Sequence, residues 1–143
     1  MNPVSEDIKD LFVANQVAYF IGDTPQNPHS LTWACGVAYE PKEPDSFITI
    51  YDTGGIADTI TNDYQYEAET VQIRLRCNTY LTGWTKIRAI RTYLNNKGKT
   101  IPSGESYRYE GFFQESAILP IGKDENSRFL FTVNYRGLRY VIT

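Results

Sequence analysis

Few side chains in this sequence could carry out acid–base or nucleophilic chemistry. His29 is the one histidine, and it stands among proline, asparagine and serine with no nucleophile beside it, which predicts a solvated loop residue rather than a general base. Cys77 falls on the apolar side of a predicted strand, where a thiol packs as a core residue. The spacing of His29, Cys35 and Cys77 matches no zinc site. We therefore predict no enzymatic activity, no cofactor and no metal site.

Two short segments resemble ligand-binding loops without completing their patterns. Residues 124–126 (Asp-Glu-Asn) begin like a calcium loop, but Arg128 stands where an oxygen ligand is needed and the glycine is missing. Gly54 and Gly55 follow a predicted strand, as phosphate-binding glycines do, but no Gly-Lys-Ser/Thr follows and the surroundings are acidic. We predict tight turns at both places.

The length and composition are those of one globular domain. The chain has 143 residues, of which 41% are hydrophobic and 22% charged, so it can bury a core without disulfides. Its apolar runs are too short for a membrane-spanning helix, and its acidic N-terminal segment lacks the apolar stretch of a secretion signal. We predict a single domain over residues 1–143, made in the cytoplasm, with reduced cysteines and no membrane contact.

Two segments have helical periodicity. Apolar residues recur at helical spacing over residues 3–18, where Asn2 can cap the helix and Pro3 can occupy its first position. In the second segment Asn78 or Thr79 can cap the start, Gly98 can end the helix, and one stripe contains Tyr80, Trp84, Ile87, Ile90 and Leu94.

The remaining segments alternate as strands do. A loop is expected at residues 56–62, and strands at residues 31–39, 47–51, 64–77, 106–119, 128–135 and 139–142, with a turn at 120–127. In the segment 64–77, one face is apolar, whereas Gln72, Arg74 and Arg76 share the other. Runs of strands interrupted by single helices predict an α+β fold, with a mostly antiparallel sheet and both helices packed on one face.

Charge is strongly segregated along the chain, although the net charge is only −3. Residues 40–69 contain eight acidic side chains against Lys42 alone, whereas residues 70–100 contain seven basic side chains and no acid. One interpretation is that the acidic segment folds back on the basic one within a subunit. The other is that the two surfaces meet between neighbouring copies in a head-to-tail ring.

Nucleic-acid binding is a further alternative. Arg74 and Arg76, beside Tyr64 and Tyr66 on one strand, could form a face that stacks bases and binds phosphates. Tyrosines at strand positions, however, commonly cover a half-buried sheet. The two hypotheses differ in outcome, because a nucleic-acid-binding protein should retard DNA and lose that property when Arg74 or Arg76 is neutralised.

Three segments in order resemble a known family. They are PDSFITIYDTGG at residues 44–55, VQIRLR at residues 71–76 before a helix, and IGKDENSRFLFTVNY at residues 121–135. Together they are similar to the minor capsid and tail-terminator proteins of long-tailed bacteriophages, the group that includes the lambda tail terminator. The resemblance implies a non-enzymatic α+β subunit of the virion tail.

The resemblance also implies an assembly. Such subunits form a ring, typically six-fold, on the last ring of the tail tube, where they stop polymerisation and dock the head connector; DNA passes as cargo. A head-completion or portal adaptor role is the alternative within the same class. In the ring, the charge pattern predicts that basic residues of one copy face acidic residues of the next. The basic residues are Arg74, Arg76 and Arg88. The acidic residues are Asp52, Asp58 and Asp63.

Overall fold

The computed structural model describes residues 1–21, 32–61 and 64–141, so His29 and Asp63 lie outside the described residues. Within these ranges the chain forms two helices and seven strands. In chain order they are α1 (Val4–Ala14), β1 (Tyr19–Phe20), β2 (Ala34–Val37), β3 (Phe47–Thr61), β4 (Tyr64–Cys77), α2 (Tyr80–Asn95), β5 (Tyr107–Gln114), β6 (Leu119–Lys123) and β7 (Phe129–Val141).

All seven strands belong to one sheet with the order β1-β2-β3-β4-β7-β5, in which β6 also pairs with β7. The pairs β1–β2 and β2–β3 are parallel, and the other pairs are antiparallel. The strand β5 lies beside residues 135–141 of β7, and β6 lies beside residues 129–132. The strand β3 therefore lies toward one edge of the sheet, and β5 and β6 form the opposite edge.

Both helices pack on one face of this sheet, as the sequence predicted. The helix α1 lies mainly over β1 to β4 and reaches β5 and β7 through Asp7, whereas α2 contacts β4, β5 and β7. The two helices also touch each other, since the Phe12 and Tyr93 rings meet edge to face with centroids 6.1 Å apart. The core between helices and sheet contains Val4, Ile8, Phe12, Ile48, Ile50, Val71, Ile73, Leu75, Ile87, Ile90, Leu94, Phe131, Val133 and Tyr135.

The helical bounds differ from the prediction at the first helix. Pro3, not Asn2, occupies the N-cap position of α1, and its side chain makes no capping hydrogen bond. The helix ends at Ala14 rather than Ala18. The backbone N–H of Val17 donates to Phe12 O, which closes the last turn. The second helix begins directly after Thr79, although the Thr79 side chain makes no capping hydrogen bond.

The predicted loop at residues 56–62 is wrong, because β3 continues to Thr61 and pairs with β4 along most of that length. The predicted tight turn at Gly54 and Gly55 is wrong for the same reason. It is a bulge inside a continuous strand, with a register shift between Asp52 and Gly54 and a positive φ of 95° at Gly54. A bulge bends a strand without ending it, and glycine accepts the backbone conformation that one residue there must adopt.

The C-terminal prediction needs two corrections. The predicted strand 106–119 ends as β5 at Gln114. Most of β6 lies in the predicted turn 120–127, of which only residues 124–127 form the turn between β6 and β7. The predicted strands 128–135 and 139–142 are parts of one strand, β7, which runs as a regular partner beside β4.

Candidate functional site

The sheet face opposite the helices is polar and contains two of the predicted interface residues. Residues Gln72, Arg74 and Arg76 lie there on β4, opposite Asn134, Thr132 and Leu130 of β7. At its centre is a shallow open cleft, where Arg136 Nε pairs with Glu115 Oε1 at 3.2 Å. The cleft is lined by Thr53, Gly55, Ala68, Thr70, Gln72, Glu115, Asn134 and Arg136.

Arg74 has a partner inside the chain. Its Nε lies 3.0 Å from Glu40 Oε1, and both side chains are about one-third exposed. Burial, together with the negative charge of Glu40, raises the pKa of the neighbouring Tyr51. An acidic residue of the segment 40–69 thus folds back on a basic residue of β4, as the first interpretation of the charge pattern expects.

Arg76 is buried and holds the chain that enters β3. Its Nη2 donates to Pro44 O at 2.6 Å and its Nε to Asp45 O at 3.3 Å, and its guanidinium lies over the Phe47 ring. Burial and the nearby positive charge of Arg128 lower the pKa of Arg76. Because its guanidinium donates to backbone carbonyls, Arg76 stabilises the chain segment that leads into β3.

The segment 124–126, which resembles a calcium loop, is a hydrogen-bonded turn. Asp124 Oδ1 accepts from the backbone N–H groups of Asn126 and Arg128, and Oδ2 accepts from Arg128 Nε at 2.8 Å. Partial burial alone would raise the pKa of Asp124, but these hydrogen bonds outweigh it, and the pKa is lowered. Arg128 also donates to Lys42 O at 2.6 Å, so the turn is tied to the segment before β3.

The remaining predicted residues are spread along the fold. Asp52 lies on the helix-bearing side of β3, where its carboxylate accepts two hydrogen bonds from Ser5 in the first turn of α1. Arg88 is exposed on α2 and makes no ion pair with a described residue. Asp58 lies in β3 opposite Tyr66 of β4. The structure therefore does not gather the five described residues of this set into one surface of a single subunit.

A buried polar cluster under α1 was not predicted from the sequence. Asp7 Oδ2 accepts hydrogen bonds of 2.6 Å from both Tyr107 and Tyr109. Arg139 reaches the same cluster, donates to Tyr109 Oη at 3.2 Å and pairs with Glu69 at 3.1 Å. Alternation in the segment 107–109 places both tyrosines on one face, but the sequence gives no sign that Asp7 is their partner. The cluster fastens α1 to β5 and β7.

The nucleic-acid hypothesis finds little support on this surface. Arg74 and Arg76 are both engaged within the chain. The Tyr66 ring packs on Tyr140 with centroids 5.2 Å apart, so it is already stacked on another side chain. A face that binds nucleic acid needs free cations beside accessible rings.

Neither metal ligation nor a membrane span is found in the described ranges. Among these residues, no group of three His, Cys, Asp or Glu side chains is placed to hold a metal ion. Neither α1 nor α2 has the length and apolar composition needed to cross a bilayer. The thiols of Cys35 and Cys77 are both buried.

The described residues form an α+β subunit whose buried charges mostly bond its own backbone and side chains. The family model described as "Bacteriophage tail terminator protein" matches residues 9–139, and the chain belongs to that family. It is therefore a structural protein of the phage tail. No curated protein matches the chain significantly.

Proposed function

We propose that this chain forms a closed ring on the end of the phage tail tube, where it stops tube polymerisation and presents the surface on which the head connector docks. The observation that carries the proposal is the family match over residues 9–139. The ring has six copies, in keeping with the resemblance seen in the sequence. Its partners are further copies of itself, the tail tube protein on one side and the head connector on the other.

The distribution of charge supports association between copies. The helix α2 carries Lys86, Arg88 and Arg91 without an acid, whereas the surface of α1 carries Glu6 and Asp10 against Lys9, and Asp7 is buried. Since α1 lies mainly toward β1–β3 and α2 toward β5 and β7, the basic helix is on a different part of the subunit from the acidic residues of α1 and β3. Opposite charges on two different surfaces favour head-to-tail association, which closes into a ring.

Among the predicted interface residues, Arg88 is the best placed to meet the acidic side of a neighbour. We assign its partners to Asp58 and Asp63 of the next copy. Asp52, Arg74 and Arg76 already have partners within the chain, and each would have to exchange one to take part. We expect DNA to pass through the ring as cargo. Arg74 and Arg76 on the polar sheet face offer it no free binding site, because both are engaged within the subunit.

Electron microscopy of negatively stained particles that lack this chain tests the proposed function. We expect tails of excessive and variable length, because nothing ends polymerisation of the tube. Complementation with the wild-type chain should restore one length and head attachment. Tails of normal length that fail to join heads would instead assign the chain to the head side of the junction and overturn the terminator proposal.

The charge pairing has its own test, the oligomer mass of Arg88→Glu measured by light scattering. Reversal of this exposed charge should weaken the ring, and added salt should weaken the wild-type ring as well. Lys97→Glu, just beyond α2, makes the same change in net charge and is the matched control. Equal assembly of the two variants would contradict the pairing.

A further inference from the structure

The outer edge of β3 has a long stretch without a strand beside it. The strand has 15 residues, yet β2 pairs only with residues 47–50. In the described part of the chain, no strand pairs with that side of β3 beyond Ile50. Residues 53–61, which we call the β3 edge, therefore have no strand partner on that side among the described residues, and the sheet leaves their outward backbone N–H and C=O groups unpaired.

The β3 edge has few of the residues that usually protect an exposed strand. Its sequence, TGGIADTIT, contains Asp58 as its only charge and has neither lysine nor proline. Proteins commonly place such residues on open edges to prevent pairing with other chains. Register shifts between Asp52 and Gly54 and between Asp58 and Thr61 bend the strand and limit regular pairing to residues 54–58. These residues are regular partners of β4 and are suited to accept a short strand.

A second open edge lies on the other side of the same sheet. In the described residues β6 pairs only with β7, and all five of its residues are exposed. Leu119 is 49% exposed and Ile121 is 46% exposed, so this edge carries exposed apolar side chains. Pro120 cannot donate a backbone hydrogen bond and Lys123 is charged, so β6 can pair over only part of its length. The neighbouring β5 is less open, because Thr100 bridges to Tyr109.

The strand directions make these two edges compatible. Since β3–β4, β4–β7 and β6–β7 are all antiparallel, β3 and β6 run in opposite directions. If neighbouring copies are related by one rotation and continue the same sheet, the strands of every copy run in the same directions within that sheet. The β3 edge of one copy would therefore meet β6 of the next copy as an antiparallel pair, which is the more stable type.

Charge favours the same arrangement. The β3 side of the subunit carries α1, with Glu6 and Asp10, and the acidic β3–β4 hairpin. The opposite side carries the basic helix α2 over β5 and β7. A junction between β3 and β6 brings the acidic side of one copy to the basic side of the next.

We infer that the β3 edge binds β6 (Leu119–Lys123) of a second copy, so that one sheet continues from subunit to subunit. This inference rests on the proposed ring and specifies how its subunits join. The contact is heterologous, because each copy supplies β3 on one side and β6 on the other, and such a contact can close into a ring. Backbone hydrogen bonds supply the register, and Leu119 and Ile121 lose exposed apolar surface.

The first test replaces the apolar side chains of β6 by charge. Native mass spectrometry compares the wild type with the double variant Leu119→Lys/Ile121→Lys. The variant should be monomeric at concentrations where the wild type is assembled. Ile101→Lys is the matched control, because Ile101 is 56% exposed but lies outside the β strands, and it should assemble like the wild type.

The second test identifies which strands meet. Chains with Ile56→Cys or Ala57→Cys are co-expressed with Ile121→Cys chains and treated with a short bismaleimide. Adjacent positions in the regularly paired part of β3 cover both faces of the sheet, so one of them shares the face of residue 121. The native thiols are buried and should not react in the folded chain. Cross-linked dimers should form only in the mixed samples.

The outcomes separate this inference from the proposed function. Cross-linking of a β3 variant with itself would mean that two β3 edges pair with each other and would overturn the inference. A ring that persists in Leu119→Lys/Ile121→Lys, with no mixed cross-link, would overturn the inference while the ring stands. A wild-type chain that is monomeric at every concentration would overturn both.

Discussion

Asp52 on β3 caps the first turn of α1 through Ser5, 47 residues away in sequence. The backbone N–H of Ser5 donates to Asp52 Oδ1 at 3.1 Å, and the Ser5 hydroxyl donates to Oδ2. A carboxylate at this place satisfies a helix N–H group that has no partner within the helix and interacts favourably with the helix dipole. A capping residue supplied by a distant strand also fixes where α1 sits on the sheet.

We expect Asp52→Ala to lower the free energy of unfolding by about 0.5–2 kcal/mol, the usual effect of losing a cap. Urea unfolding measures this change. Ser5→Ala removes part of the same interaction, so the double variant should lose less than the sum of the two single variants. Additive losses would show that the two side chains act independently.

The cluster of Asp7, Tyr107 and Tyr109 should make the protein sensitive to alkali. Burial and the hydrogen bonds to Asp7 raise the pKa of both tyrosines above their ordinary value. Burial likewise raises the pKa of Tyr135 to about 12. In this range the folded chain keeps protons that the unfolded chain releases, so stability is complete below about pH 10 and falls as the pH rises further.

The measurement is the urea midpoint at about pH 8 and at about pH 11, on either side of the ordinary tyrosine pKa. Tyr109→Phe should lower stability at the first pH by about 1–3 kcal/mol, because Asp7 loses a buried hydrogen bond, and should reduce the loss between the two pH values. Tyr39→Phe is the control, since Tyr39 is 55% exposed, and it should follow the wild type at both. An unchanged alkaline loss in Tyr109→Phe would contradict this account.

Local patterns predict much of this fold. The strand β4 has the predicted bounds, because its alternation of apolar and polar residues is continuous and the next helix begins soon after it. The helix α2 follows its apolar stripe, in which Ile87, Ile90 and Leu94 are fully buried. Both helices lie on one face because β4 and β7 each have one apolar side facing the core.

What the sequence could not predict depends on contacts between distant residues. The Gly-Gly pair at residues 54–55 is typical of a turn, and only pairing with β4 makes it a bulge. Charge segregation does not reveal that Arg74 meets Glu40, or that Arg76 uses its charge on backbone carbonyls. Likewise the residues that cap and anchor α1, Asp52 and Tyr109, are far from it along the chain.

Gly83 lies where α2 packs closely on the sheet. A Cβ atom at this position would lie 2.7 Å from Phe131 Cε2 and 3.2 Å from Cys77 Cβ. Alanine should gain about 0.5–1 kcal/mol as a helix former, but overpacking commonly costs about 1–3 kcal/mol. We therefore expect Gly83→Ala to be destabilising overall in urea unfolding.

The control for this prediction lies on the same helix. Thr85 is exposed on α2, and Thr85→Ala should raise stability by about 0.5 kcal/mol through helix propensity alone. If Gly83→Ala proved as stabilising as Thr85→Ala, α2 would have room to move from β7, and the close contact with Phe131 would not limit packing.

Gly55 permits β3 and β4 to approach each other at the bulge. A Cβ atom there would lie 2.3 Å from Ala68 O and 2.5 Å from Glu69 Cα, both backbone atoms that cannot rotate away. Gly55→Ala should therefore separate the strands and lower the free energy of unfolding by at least about 2 kcal/mol. Hydrogen exchange should rise at the amides of residues 56–61, beyond the bulge.

Gly111→Ala in β5 is the matched control, because its Cβ would meet only the Phe113 ring, at 3.4 Å, and that ring is exposed. It should be much less destabilising, and its exchange at residues 56–61 should equal that of the wild type. Since the bulge sets the course of the β3 edge, Gly55→Ala should also weaken assembly under conditions where the subunit remains folded. Normal assembly of folded Gly55→Ala would show that the course of β3 beyond the bulge does not matter to the ring.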